Sequence, residues 1–157
     1  MATNWPSSRL SVEVEVGYLV REPIDTAALV DAVSGPLLGG TVLFSGTVRA
    51  GPDDGPVIAI EYSAYDQMAE AECARIEAEV VERWPGVSLA FRHRLGRVRI
   101  GEASIGIAVA APHRAEAFEV CRHVIDEVKV RLPIWKREFL DDGETRWRSN
   151  APTTTES

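Results

Sequence analysis

Apolar and polar residues alternate from Ser11 to Val20: Val12, Val14, Val16 and Tyr18 fall on one side, Glu13 and Glu15 on the other. A period of two predicts a half-buried strand. Asp25 to Val33 reads as a short helix, with Asp25 placed to cap it and Gly35-Pro36 to stop it. Gly39 to Arg49 and Val57 to Tyr65 are rich in β-branched residues and read as strands, joined by the turn-dense loop Ala50 to Pro56. Asp66 to Trp84 has helical spacing, with Ala69, Cys73, Ile76 and Val80 as its apolar stripe and Pro85-Gly86 as its end. Strands are predicted over Val87 to Leu95, Arg97 to Ile100 and Glu102 to Ala111. A second long helix runs from Pro112 to about Arg131, with a stripe of Phe118, Cys121, Ile125 and Val128, and Pro133 stops it. Ile134 to Leu140 is extended, Asp141-Asp142-Gly143 is a turn, and Glu144 to Arg148 completes a hairpin.

Helices and strands alternate irregularly, and several strands follow one another directly. That order favours an α+β fold over a doubly wound parallel sheet. The 157 residues suit one domain, expected over 11–148, with a flexible N-terminus over 1–10 and a disordered polar tail over 149–157. No run of eighteen apolar residues is present and Met1 to Leu10 does not resemble a secretory signal, so a soluble, cytoplasmic protein is expected. Cys73 and Cys121 are far apart, lie on core-facing stripes, and read as structural thiols rather than a zinc site or redox pair.

The net charge of −7 disfavours general nucleic-acid binding. The charge is uneven: the part of the chain before Arg83 is acidic and the part after it is net basic. A basic region in an acidic protein fits either a local anion site or a solvated face. Among fifteen arginines there are only two lysines, Lys129 and Lys136, and they lie within eight residues of each other. Arginine does not exchange its proton near neutrality, whereas a lysine beside other cations or partly buried becomes a usable base or nucleophile. Arg131 and Arg137 are the neighbouring cations in sequence. Lys129, in the last helical turn, and Lys136, past Pro133, can line one pocket where helix end meets strand; a snorkelling surface lysine is the alternative for each. Pro112-His113-Arg114 opens a helix, where free N–H groups attract anions, and Arg49 follows a strand as another candidate clamp. His93, within Arg92-His93-Arg94, reads as strand surface or a structural polar contact, and His123 as solvent-facing. The signatures of nucleotide hydrolysis, nicotinamide binding, zinc proteolysis and serine hydrolysis are missing.

Six segments carry a more specific message: F-S-G-T-V-R (Phe44 to Arg49), E-Y-S-A-Y (Glu61 to Tyr65), H-R-L-G (His93 to Gly96), R-I-G-E (Arg99 to Glu102), A-P-H-R-A-E-A-F (Ala111 to Phe118) and K-V-R-L-P-I-W-K-R-E (Lys129 to Glu138). In this order, the chain from about Val12 to Trp147 resembles the large, catalytic subunit of molybdopterin synthase. The resemblance implies an α/β-hammerhead-like core with an additional antiparallel sheet region. It implies a homodimer within a heterotetramer, in which each copy docks a small ubiquitin-like sulfur carrier. The carrier's C-terminal Gly-Gly thiocarboxylate would donate sulfur to cyclic pyranopterin monophosphate, giving the molybdopterin dithiolene. Lys129 and Lys136 map onto the family's catalytic positions. Thr47, Val48, Arg49, His113, Arg114, Arg137 and Glu138 map onto its substrate-binding positions. No cofactor or metal is implied, because the sulfur arrives activated. A non-catalytic dimeric scaffold for a ubiquitin-like partner or a phosphorylated metabolite is the competing class.

Overall fold

A computed structural model describes residues 17–51 and 55–149. Its elements in chain order are β1 (Leu19–Val20), α1 (Thr26–Val33), β2 (Gly40–Thr47), β3 (Val57–Ala64), α2 (Asp66–Arg83) and β4 (Ser88–Arg94). There follow β5 (Gly96–Arg99), β6 (Ala103–Ala111), α3 (Arg114–Arg131), β7 (Ile134–Leu140) and β8 (Thr145–Ser149). The strands form two four-stranded sheets, ordered β1-β4-β6-β2 and β5-β3-β7-β8. The first is antiparallel except for the short β1–β4 pair, and the second is antiparallel throughout. Three helices and two sheets give the α+β architecture expected from the element order. Of the strand expected over Ser11 to Val20, Leu19–Val20 is formed, and residues 11–16 lie outside the described residues, as do the expected flexible N-terminus and most of the expected tail.

The centre of the first sheet explains how its two faces are filled. Strand β6 is buried on both sides and its residues alternate in size: Ile105, Ile107 and Val109 on one face, Gly106, Ala108 and Ala110 on the other. The large residues join the main core with Phe91 of β4, Cys73, Ile76 and Val80 of α2, and Val120, Val124 and Val128 of α3. The small ones admit α1, whose Leu29 and Val33 pack on Ala108 and Ala110. A Cβ at Gly106 would lie 2.9 Å from Leu29 Cδ1, so α1 sits where only glycine allows it. Asp25 caps α1 as expected, its Oδ1 accepting the Ala28 N–H at 3.0 Å. Tyr62, Val98 and Ile134 of the second sheet belong to the same main core, so one core unites both sheets.

The predicted stripe of α2 is buried in full. That of α3 is rotated: Ala117, Val120, Cys121, Val124 and Val128 are buried, Ile125 is half-buried, and Phe118 is 62% exposed. The helix lies close to the sheet, where small and β-branched side chains fit and a phenyl ring does not. Arg131 joins α3 to α2 through Glu72 and Glu79 at 2.6 Å each, and also meets Glu127 of its own helix at 3.2 Å. These bonds raise its pKa, that from Glu79 most, and the Arg131 guanidinium holds the Glu72 carboxyl below its ordinary value. Arg131 is therefore a strut between helices rather than a cation beside Lys129.

Candidate active site

Three local features converge on one cavity. The first is the end of β2. Its pairing with β6 shifts register between Gly46 and Thr47, so Thr47 faces Ala103, and Ser104 sits opposite the irregularity. A bulge of this kind bends a strand and re-aims its last side chains. Ser104 Oγ donates to the Gly46 carbonyl at 3.2 Å. Val48 is fixed beyond the bulge: its N–H donates to the Glu102 carbonyl at 3.0 Å and its carbonyl accepts from Gly101 at 2.7 Å.

The second feature is the turn from α3 into β7. Leu132 closes the helix with an N–H bond to the Val128 carbonyl at 3.2 Å. Pro133 lacks an N–H and cannot extend it, and β7 begins at once with Ile134. This two-residue reversal folds Lys136 back toward Lys129. The third is the inward face of β7. Strand period two sets Ile134, Lys136 and Glu138 on one side and Trp135, Arg137 and Phe139 on the other. Across the β3 pair, Tyr62 is opposite Lys136 and Ile60 opposite Glu138.

Together these elements enclose a cavity of about 280 Å³. Its wall includes Thr47, Val48 and Arg49 from the end of β2, Ile125 and Lys129 from α3, and Lys136 and Glu138 from β7. Ile125 and Lys129 are one helical turn apart and so share a face. Six of the nine residues singled out from the sequence are thus brought together, with Ile60, Tyr62, Ser104 and Ile105 completing the apolar and hydroxyl-bearing side.

The electrostatics follow from this enclosure. Lys129 is more than a third exposed as a whole residue, yet its amine has a pKa below the ordinary lysine value, chiefly through desolvation and secondly through the charge of Lys136. The two amines therefore feel each other. Among the described residues, the ion pairs near them are made by other cations: Glu138 is held by Arg146 at 2.5 Å and Arg148 at 3.4 Å, and Glu61 by Arg137 at 2.8 Å. Glu138 is buried, and its two arginine partners come from β8, so the carboxylate ties that strand to the cavity wall.

Behind the wall lies His93, 5% exposed, with its Nδ1 3.0 Å from the Arg94 carbonyl. That contact makes Nδ1 the donor of a neutral ring. Burial pushes its pKa down to about 4, with the nearby Lys129 charge adding to the effect. Its ring meets that of Tyr62 edge-on at 5.2 Å. His93 is a structural polar contact and not strand surface. His123 is half-buried, its ring 5.1 Å from that of Trp84.

The remaining three candidates lie elsewhere in the chain. Arg137 is on the outer face of β7, bonded to Glu61 and stacked over Phe139 and Trp147. His113 caps the start of α3 through its backbone, and Arg114 is the first helical residue. Both are exposed, against the beginning of β2, where a Cβ on Gly40 would come within 3.0 Å of Arg114 Cα. Sixteen residues at about 1.5 Å each put His113 roughly 24 Å from Lys129 along the helix axis.

The family model described as MoaE protein matches residues 19–131. A molybdopterin synthase catalytic subunit from a Nostoc species is 42% identical over 112 residues, covering 71% of this chain and 68% of that protein. The crystal structure of molybdopterin synthase from Staphylococcus aureus superposes with a TM-score of 0.79 at 34% identity, covering 84% of this chain and 96% of that one. A Helicobacter pylori structure, described as a complex of subunits 1 and 2 of molybdopterin-converting factor, shares the fold. Its TM-score is 0.69 at 21% identity, covering 88% of this chain and 90% of that one.

Proposed function

The chain belongs to the MoaE protein family, and from that premise we propose that it is the catalytic subunit of a molybdopterin synthase, a sulfurtransferase of molybdenum-cofactor synthesis. The sulfur donor is the C-terminal thiocarboxylate of a small ubiquitin-like carrier ending in Gly-Gly. The acceptor is cyclic pyranopterin monophosphate. The observation that carries this reading is the cavity with two lysine amines in its wall, one of reduced proton affinity, beside Arg49.

The chemistry suits such a wall. The thiocarboxylate sulfur adds to a substrate carbon that bears oxygen; the C–S bond forms and the C–O bond breaks, the oxygen leaving on the phosphate as the cyclic ester opens where it is the ester oxygen, and as water after taking a proton where it is a hydroxyl. A second water then cleaves the acyl–sulfur bond, which returns the carrier as a carboxylate and leaves sulfur on the substrate. Two rounds give the dithiolene. Lys129, whose amine gives up its proton more readily than an ordinary lysine, is assigned the proton exchange. Lys136 and Arg49 are assigned the developing negative charge and the substrate anion. Thr47 and Val48 shape the wall, and Glu138 holds it. The chain's own thiols are unsuited to carrying sulfur. Burial pushes Cys73 up to about 12 and raises Cys121 as well, so neither is a ready thiolate.

His113 and Arg114 are too far along α3 to hold the same phosphate as Arg49 within one protomer. Their substrate role is assigned to a second copy: in a homodimer, the helix start of one protomer serves the cavity of the other. Two carriers complete a heterotetramer. Arg137 supports the outer face of the second sheet instead of the substrate. The setting is cytoplasmic; among the described residues no helix is long and apolar enough to cross a membrane.

The test is reconstitution. The chain is mixed with thiocarboxylated carrier and the cyclic precursor, and the dithiolene product is measured. Product formation is expected. Tight carrier binding without product would overturn the catalytic reading in favour of a scaffold.

A further inference from the structure

Among the described residues the cavity wall holds a single carboxylate, Glu138, beside three cations, Lys129, Lys136 and Arg49. Lys136 and Glu138 share the inward face of β7, two residues and roughly 7 Å apart along the strand. Side chains of that length can meet, and the simplest arrangement of this wall would be a Lys136–Glu138 ion pair. The structure shows another. Among the described residues neither lysine amine has an ion pair or a hydrogen bond. Glu138 Oε2 accepts from Arg146 Nε at 2.5 Å and Oε1 faces Arg148 Nε at 3.4 Å, so each carboxylate oxygen has its own arginine.

The pairing of β7 with β8 explains the choice. Arg146 is directly opposite Glu138, and Arg148 is directly opposite Lys136. Opposite residues on an antiparallel pair project from the same face, and like charges so placed repel. Arg148 therefore turns from Lys136 to the diagonal carboxylate. The Glu138 side chain is 11% exposed, those of Arg146 and Arg148 38% and 48%. The arginines reach in from the solvent side and hold the carboxylate at the wall. One cation would neutralise Glu138, and Lys136 could supply it; two arginines are present instead. The reaction brings two anions into this cavity, the carrier's thiocarboxylate and the substrate's phosphate. An amine already paired with Glu138 would have to leave that partner to meet either, and it would hold its proton more firmly.

We propose that Arg146 and Arg148 are positioning residues for sulfur transfer: by occupying both oxygens of Glu138 they keep the Lys129 and Lys136 amines unpaired for the incoming anions. This rests on the sulfurtransferase reading and gives β8 a part in it. Arginine suits the task, because a guanidinium stays charged and its donors match a carboxylate. Lys129 is shifted downward by burial and by the charge of Lys136, and a carboxylate turned to Lys136 would offset that charge.

The experiment compares wild type, Arg148→Gln, Arg146→Gln/Arg148→Gln, and the triple variant that adds Glu138→Gln. Near-ultraviolet circular dichroism checks the fold of each. The readouts are the Lys129 titration by lysine-labelled NMR, and kcat/KM for the cyclic precursor as a function of pH. In the double variant Glu138 is released to the amines. Lys129 should then titrate about one pH unit higher, and kcat/KM should fall about tenfold, with its pH profile moved upward in step. Arg148→Gln alone should change both in the same direction and by less. In the triple variant the glutamine carries no charge, so both readouts should return toward wild type. Arginines that merely hold β8 in place would leave the triple variant as impaired as the double. Where the double arginine variant does not fold, Arg148→Gln against Arg148→Gln/Glu138→Gln makes the same comparison. An unchanged Lys129 titration in the folded arginine variants, or no recovery on adding Glu138→Gln, would overturn the proposal while leaving the sulfurtransferase reading standing. Absence of product from wild type would remove that reading and the arginines' role in it.

Discussion

Acidification should expose His93 as a buried group that resists protonation. In the unfolded chain its imidazole takes a proton near its ordinary 6.5; in the folded chain it does so only at about 4. Between those values the unfolded state binds more protons, so stability rises with pH and is lost as pH falls. At about 1.4 kcal/mol per tenfold change in proton affinity, the loss is about 2 kcal/mol by pH 5 and about 3 kcal/mol at pH 4. Other groups also weaken the fold in acid. Glu72 and Glu102, held below their ordinary range by Arg131 and Arg94, contribute stability that disappears as they protonate. The comparison must therefore be differential. Urea unfolding of wild type and His93→Gln is followed at intervals from pH 7.5 to pH 4. Glutamine can still donate to the Arg94 carbonyl, and it does not titrate. The variant should be less stable at pH 7.5, and the gap should shrink by about 3 kcal/mol by pH 4. Two parallel stability curves would refute a buried, neutral His93.

Three further outcomes follow from the packing and the charges. With only two lysines in the chain, lysine-labelled NMR gives two side-chain titrations. That of Lys129 should lie below the usual lysine value, and Lys136→Gln should move it upward by removing a like charge; an unchanged Lys129 titration would mean that the amines do not share the cavity. Arg131→Ala should lower the melting temperature through loss of the α2–α3 strut, and 1 M salt should narrow the difference from wild type, since it shortens the screening length to about 3 Å. Gly40→Ala should cost about 1–3 kcal/mol in urea unfolding, because its Cβ would press on the backbone of His113 and Arg114.

Much of this architecture was legible in the residue pattern. The α2 stripe was readable because every fourth or third residue is apolar and small enough to pack. Of the expected α3 stripe, Cys121 and Val128 are buried, whereas Phe118 is exposed and Ala117 and Val120 are buried in its place. The two lysines stood out through arginine's dominance elsewhere, and Pro133 announced the reversal that brings them together. The outward direction of Arg137 was implicit in strand period two, since it sits between Lys136 and Glu138. The separation of His113 from Lys129 was implicit in the helical rise. What the pattern lacked was register. Tyr62 became a neighbour of Lys136 only once β3 was paired with β7. For His93, between two arginines, the pattern left strand surface and a structural polar contact open, and its burial decides for the second.

The role proposed for the two cavity amines is sulfur transfer. Its most direct test is single-turnover transfer from thiocarboxylated carrier to the cyclic precursor by Lys129→Ala and by Lys136→Ala, each shown to be folded and to bind carrier. Each variant should lose about 10²–10⁴-fold in rate, and Lys129→Arg should not restore it, because guanidinium keeps its proton. Transfer at near wild-type rates by both alanine variants would contradict it.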